Sequence, residues 1–200
     1  SVKPHKTSRF LTGGGVYVSD ISLPNMLHAA LLRSIHAHAR ICGIDVKQAL
    51  RLDGVTGVWT GDDIKDRVSL FPESFEIHPR PWLEGVKPVL QGPRPAALAQ
   101  GKVHYVGEPV AIVVAENRHT AEDAVDEIVV EYQALPVVVD PDVALETGAT
   151  LVHDESKDNV VFSFKVNKGN VDQALQDAPY SLRERFRHHR LDRSSQFDLT

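Results

Sequence analysis

Few residues in this chain have types and spacing suited to chemistry. His36 and His38 are two apart, a spacing that sends both imidazoles to one face of an extended segment, and Cys42 follows closely enough to be a third ligand. A zinc site needs three or four converging ligands, and no Cys-x-Cys or His-x-x-x-His partner stands elsewhere, so the pair reads as a polar strand junction. His188 and His189 are adjacent and point to opposite faces of a strand, a poorer ligand arrangement still. Glu108, between Gly107 and Pro109 and just ahead of an apolar strand, occupies a place where catalytic carboxylates occur, but a lone acid there reads first as a turn residue. Gly13, Gly14 and Gly15 precede Val16, Tyr17 and Val18 instead of joining a strand to a helix, so they make a turn and not a phosphate cradle. The sequence holds no Gly-x-Ser-x-Gly elbow, Walker loop, dinucleotide fingerprint or His-Glu-x-x-His pair. No catalytic, cofactor-binding or metal-binding residue is assigned on this basis.

The elements that would position such residues are organised around 103–132. Val110 to Ala115 is the near-continuous apolar run of a strand covered on both faces. Asn117 is placed to cap a helix in which Ala121, Ala124, Val125 and Ile128 fall at i, i+3, i+4 and i+7. Val129 to Tyr132 follows at once, and strand, helix and strand in such quick succession suggest a right-handed crossover between parallel strands. Further strands are expected over 16–18, 26–33, 39–45, 55–60, 135–139, 159–166 and 180–190. Helices are expected over 46–52 and 171–178, with helical turns at 61–65 and 142–146. Residues 66–101 carry Pro72, Pro79, Pro81, Pro88, Pro93 and Pro95 without a sustained period, which marks a long functional or interfacial loop with Trp82 as a candidate contact. Residues 152–159 are polar enough for a linker. The fold class that results is α+β, a mixed α/β domain with a smaller second piece.

Composition narrows the function classes. Two hundred residues, 42% hydrophobic and 24% charged, suffice for one ordinary domain with a core. The one cysteine excludes an intrachain disulfide, a CxxC redox pair and an iron–sulfur cluster held by this chain alone, and it fits a reducing, cytoplasmic setting. No apolar run reaches bilayer length, and a net charge of −5 argues against general nucleic-acid binding. Residues 183–193 set five arginines against Glu184 and Asp192, and on a strand Arg183, Arg185 and Arg187 would share a solvated edge or a subunit contact.

Longer patterns carry a family resemblance. RFLTGGGVYVSDISLPNMLHAALLRSIHAHARI, VTGVWTGDDI, KVHYVGEPVAIVVAENRHTAEDAVDEIVVEY and LPVVVDPDVAL occur in consistent order between about Arg9 and Arg190. The most telling pieces are Arg33-Ser34-x-His36-Ala37-His38-Ala39-Arg40 and Tyr105-Val106-Gly107-Glu108-Pro109-Val110-Ala111. Together they resemble the N-terminal part of the molybdenum-binding large subunit of the xanthine dehydrogenase, aldehyde oxidase and carbon monoxide dehydrogenase family. The resemblance implies an α/β hammerhead domain over 1–157 with the proline-rich loop 66–101, and over 158–200 the truncated first strands and helix of a molybdopterin-binding domain. It implies molybdopterin, the cytosine dinucleotide form among the candidates, in the complete enzyme and none on this chain, with iron–sulfur and FAD groups on partner domains or subunits. The family follows its Arg185-Phe186-Arg187 strand with a Met-Glu-Pro-Arg turn, whereas this chain reads Gln196-Phe197-Asp198-Leu199. A portion inactive by itself is therefore expected, partnered by the remainder of the molybdopterin-binding subunit and by iron–sulfur and flavin subunits. The unpaired strand edges of a truncated domain would make it a homo-oligomer. The alternatives are a non-catalytic module docking on a separate cofactor-binding subunit, or a gene remnant.

Overall fold

At the centre of the fold is the strand Pro109–Ala115, exchanging backbone hydrogen bonds on both sides. In the computed structural model, which describes residues 7–70, 89–90, 92–163 and 169–186, the chain divides into two units. The larger, Asn25–Val166, holds the strands β1 (His28–Arg33), β2 (Ala39–Asp45), β3 (Val55–Thr60), β4 (Val89–Leu90), β5 (Lys102–Val103), β6 (Pro109–Ala115), β7 (Val129–Ala134) and β8 (Phe162–Ser163). One sheet has the order β1-β6-β3, a second β5-β2-β7, and β4 pairs with β8 in a short ribbon. All of these pairings are antiparallel.

This arrangement corrects the expectation of a parallel crossover. Both edges of β6 are taken, by β1 and by β3. The strand returning from the helix has no edge of β6 to join, so β7 crosses to the second sheet and pairs with β2, with Asp45 opposite Val129. The connection from β2 to β3 makes the reverse transfer, from the second sheet to the first. The two strand-helix-strand stretches read in the sequence are thus links between sheets.

Burial explains why β6 is so apolar. Ala111 and Val113 pack with Ala49, Ala124 and Ile128 in one core cluster, and Val110 packs with Ala39, Ala99 and Val103 in another. The β1 register skips one residue of β6, pairing Leu32 with Ala111 and Arg33 with Pro109. Val110 is the extra residue of that bulge; strand alternation sets it on the face opposite Ala111 and Val113, in the second cluster. Ile44 and Val130 border both clusters and form the seam between the sheets.

Over the first cluster lies α3 (Arg118–Asp126), whose cap Asn117 accepts a hydrogen bond from the Thr120 amide at 2.9 Å, as its sequence position predicts. Ala121 and Ala124 are buried, and their small side chains let the helix approach the sheet closely. The helix expected over 46–52 is a turn followed by a 3-10 segment, Ala49–Arg51, because Asp45 draws the Lys47 amide into a tight turn at 3.0 Å. At β3 the chain enters α2 (Gly61–Ile64), with Asp63 accepting from both the amide and the hydroxyl of Thr60. A Cβ on Gly61 would lie 2.2 Å from the Ala99 carbonyl oxygen, so only glycine fits there. No strand forms over 135–139: Leu135 makes its last sheet-like bond to His38, and Pro136 has no N–H to continue. The chain proceeds to α4 (Pro141–Ala144), capped by Asp140. Residues 152–159 are tied down, since Asn159 donates to the carbonyls of Ala144 and Thr150 and accepts from the Val152 amide.

The smaller unit, Ser1–Pro24 with Asn167–Thr200, contains α1 (Thr7–Leu11) and α5 (Val171–Asp177). Gly13 and Gly14 terminate α1 through bonds to Phe10 and Arg9, which bears out the turn reading of the glycines. The expected strand at 16–18 is instead coil leading into a 3-10 turn, Val18–Asp20, in which the Asp20 carboxylate accepts from the Tyr17 amide at 2.9 Å. A local side-chain bond outcompetes β propensity here. Asn170 caps α5 by accepting from the Gln173 amide. Residues 180–186 form no strand, with Tyr180, Leu182 and Phe186 exposed and no ladder partner among the described residues. Only Phe162 and Ser163 of the strand expected over 159–166 are in strand geometry among the described residues. Trp82, Arg187, His188 and His189 lie outside the described residues.

Candidate functional site

The two most telling sequence pieces meet in space. Ser34, in the bend after β1, donates its amide to the Glu108 carbonyl at 2.9 Å, and its own carbonyl accepts from Gly107 at 2.7 Å. Arg33 adds a guanidinium bond to the Gly107 carbonyl at 2.9 Å. Gly107 adopts φ +90, a left-handed conformation that favours glycine and lets the turn close against Ser34. The Ser34 side chain is almost fully buried and folds the following bend, donating to the His36 carbonyl at 2.8 Å and accepting from its amide at 3.0 Å. Tyr132, on β7, sits beside this knot; burial pushes its phenol up, a hydrogen bond with Ser34 draws it back, and the Glu108 charge adds to the rise.

This bend separates the two histidines that an extended segment would have aligned. His36 lies edge-on to Tyr132, with ring centroids 4.9 Å apart. His38 is buried and its Nδ1 donates to the Pro136 carbonyl at 2.6 Å, leaving Nε2 buried without a hydrogen-bond partner among the described residues. Cys42 is exposed on β2. Among the described residues no group of three or more His, Cys, Asp or Glu side chains is arranged to hold a metal ion.

Glu108 is a turn residue with a job. Its Oε2 accepts from the His104 amide and its Oε1 lies 3.2 Å from His104 Nδ1, both side chains mostly covered. His104 in turn stacks on His153 at 4.2 Å between centroids and 23° between planes. Burial first, then the neighbouring His104, holds the His153 imidazole below its ordinary value. One residue on, Asp154 accepts from the nearly buried Lys102 ammonium at 2.9 Å, and that bond holds its carboxyl below the usual range. Sequence reading missed Lys102, Tyr132, His104, His153 and Asp154 as a group. The available signal was the alternation of Lys102 and His104 around a buried Val103, which puts two polar side chains on the face opposite the core.

What this arrangement can do chemically is orient and pair charges. A phosphate-bearing pterin would call for cationic side chains and free amides. A groove of about 320 Å³ between β2 and β7 is lined by Asp45 and Glu131 with Lys47, which bridges to Asp45 at 3.8 Å. Another, of about 190 Å³, is lined by Ile41, Cys42, Thr60 and Asp62 with no cationic side chain. Both linings carry more acidic than basic side chains, and at the N-terminus of α3 the Asn117 side chain takes the Thr120 amide.

A six-stranded pair of antiparallel sheets exchanging chain between them, with the Ser34 and Gly107 loops locked together, is the architecture of an α/β hammerhead. Residues 12–136 match the model of the aldehyde oxidase and xanthine dehydrogenase a/b hammerhead domain, and the chain belongs to that family. It is 38% identical over 173 residues, 86% of its length, to the nicotine 6-hydroxylase large subunit of Paenarthrobacter nicotinovorans. It is 35% identical over 196 residues, 92% of its length, to the carbon monoxide dehydrogenase large chain of Afipia carboxidovorans. Among solved structures, quinoline 2-oxidoreductase from Pseudomonas putida 86 superposes with a TM-score of 0.65 and 40% identity, covering 80% of this chain and 19% of that one. The chain spans about a fifth of the length of these relatives, 20% and 22% for the two sequences. Among the described residues no helix is long and apolar enough to cross a membrane.

Proposed function

We propose that these residues are the hammerhead scaffold of a molybdenum hydroxylase large subunit and that they supply no group to catalysis or to cofactor binding. The observation that carries this reading is the internal use of three polar side chains at and beside the motif loops: Ser34 is spent on His36, Glu108 on His104, and Lys102 on Asp154. A catalytic carboxylate needs reach to a substrate, and Glu108 is turned to its own chain.

In this reading the whole enzyme hydroxylates a carbonyl compound or an N-heterocycle. Water supplies the oxygen, and each turnover releases two protons and passes two electrons to iron–sulfur and then flavin groups held by partner domains or subunits. Molybdopterin, the cytosine dinucleotide form among the candidates, supplies the redox chemistry from the rest of the large subunit in the cytoplasm. The hammerhead occupies 1–157, with the cofactor-binding domain beginning near 158. Supporting the family's chemistry are the relatives just described, whose names include a hydroxylase and a dehydrogenase. The exposed Tyr180, Leu182 and Phe186 support self-association of the isolated chain through the segment after Asn159.

The test is elemental analysis of the purified 200-residue chain together with dye-linked oxidation of aldehydes, purines and carbon monoxide. Neither molybdenum nor turnover is expected; stoichiometric metal or measurable turnover would sink the proposal. Sedimentation of the same sample checks self-association, for which a monomer at high concentration is the contrary result.

A further inference from the structure

Two consecutive residues of the segment after α4 meet two alternate residues at the end of β5. His153 stacks on His104, and Asp154 takes the Lys102 ammonium. The contacts are long-range in sequence, and they sit where the chain leaves the hammerhead sheets for β8. Within the segment, Ser156 donates to the His153 carbonyl and Asn159 bonds back to Thr150 and to Ala144 of α4, so residues 150–159 form one internally bonded loop.

We propose that the stacked His104–His153 pair is a pH-operated clasp that holds residues 149–159 on the end of β5 at neutral pH and releases them on mild acidification. Two imidazoles with centroids 4.2 Å apart pack well when neutral and repel when both are charged. Facing His153 are His104 and the Lys102 ammonium, which oppose a proton there, and Glu108 and Glu155, which favour one; burial opposes it as well and is the largest influence. Glu108 is already engaged by His104 through ring and amide. Around the neighbouring Asp154 stand Lys102, Arg40 and His38, so the local field is rich in positive charge.

The direction follows from proton binding. In the closed form His153 titrates below its ordinary value of 6.5, while in the released segment it returns to that value. The open form therefore binds more protons as pH falls through 6.5, and closure weakens from there downward. Asp154 is held below the usual carboxylate range by Lys102, so its own protonation does not drive the opening, which falls to the stack.

The experiment is hydrogen exchange of the full chain between about pH 7.5 and about pH 5.5, corrected for intrinsic rates. Opening of 149–159 should rise about threefold or more at the acid end, while 109–115 stays protected. His153→Phe keeps an aromatic ring on His104 and removes the proton, so its protection should be the same at both ends. Exchange in the unaltered protein that is flat with pH, or a dependence that survives in His153→Phe, overturns the clasp. Should His153→Phe disturb 109–115, the imidazole titration of His153 in the unaltered protein decides. A midpoint below that of a free imidazole and coincident with the loss of protection supports the clasp, and one at or above it overturns it.

Discussion

Ser34→Ala is the most informative single change. The hydroxyl removed is 2% exposed at the residue level and makes two bonds with the His36 backbone, at 2.8 and 3.0 Å. It is also the partner of the Tyr132 phenol. Alanine fills almost the same space, so no large cavity opens and the cost is that of polar groups deprived of partners. Each bond contributes about 0.5–1.5 kcal/mol net, which puts the loss from the two His36 bonds at about 1–3 kcal/mol. In urea, with a slope of about 2 kcal/mol per M, the midpoint should fall by about 0.5–1.5 M at unchanged slope. Asp123→Ala, on the exposed side of α3, is the control and should move stability by less than about 0.5 kcal/mol. If Ser34→Ala proves no worse than that control, the knot between the two motif loops does not hold the domain together and the structural reading of those motifs fails.

Other positions test the fold independently. Gly61→Ala places a methyl 2.2 Å from the Ala99 carbonyl oxygen, so the backbone must shift, and thermal unfolding should show a loss of about 1–3 kcal/mol. Asn117→Ala removes the cap of α3 and should cost about 1 kcal/mol in chemical denaturation. Val113→Ala, in the fully buried strand β6, should cost about 2 kcal/mol by the same assay, since two methyl groups leave the core.

Local signals in the sequence were readable where one interaction dominates. The apolar run 110–115 had to be a central strand, Asn117 had to cap the following helix, and strands 39–45 and 55–60 fell at the expected residues. Sheet membership was not readable, because a strand, a helix and a strand look alike whether they join parallel neighbours or pass between two antiparallel sheets. Nor could the pattern show that Asp20 would bond the Tyr17 amide and bend an apolar triplet out of a strand. At the candidate site, the two motifs were visible as strings, but their mutual hydrogen bonds depend on a contact across 74 residues, from Arg33 to Gly107. His153 and Asp154 fell in a stretch whose polarity suggested a linker, and only their meeting with His104 and Lys102 gives them a role.

The central claim is that this chain works as scaffold within a molybdenum hydroxylase assembly. Its most direct test is capture of the native protein from its source with an antibody raised against residues 25–166, followed by quantification of molybdenum and of dye-linked oxidase activity in the eluate. Molybdenum in stoichiometric amount, with activity, recovered together with these residues is the predicted result. Recovery of the residues free of molybdenum and of activity would contradict it.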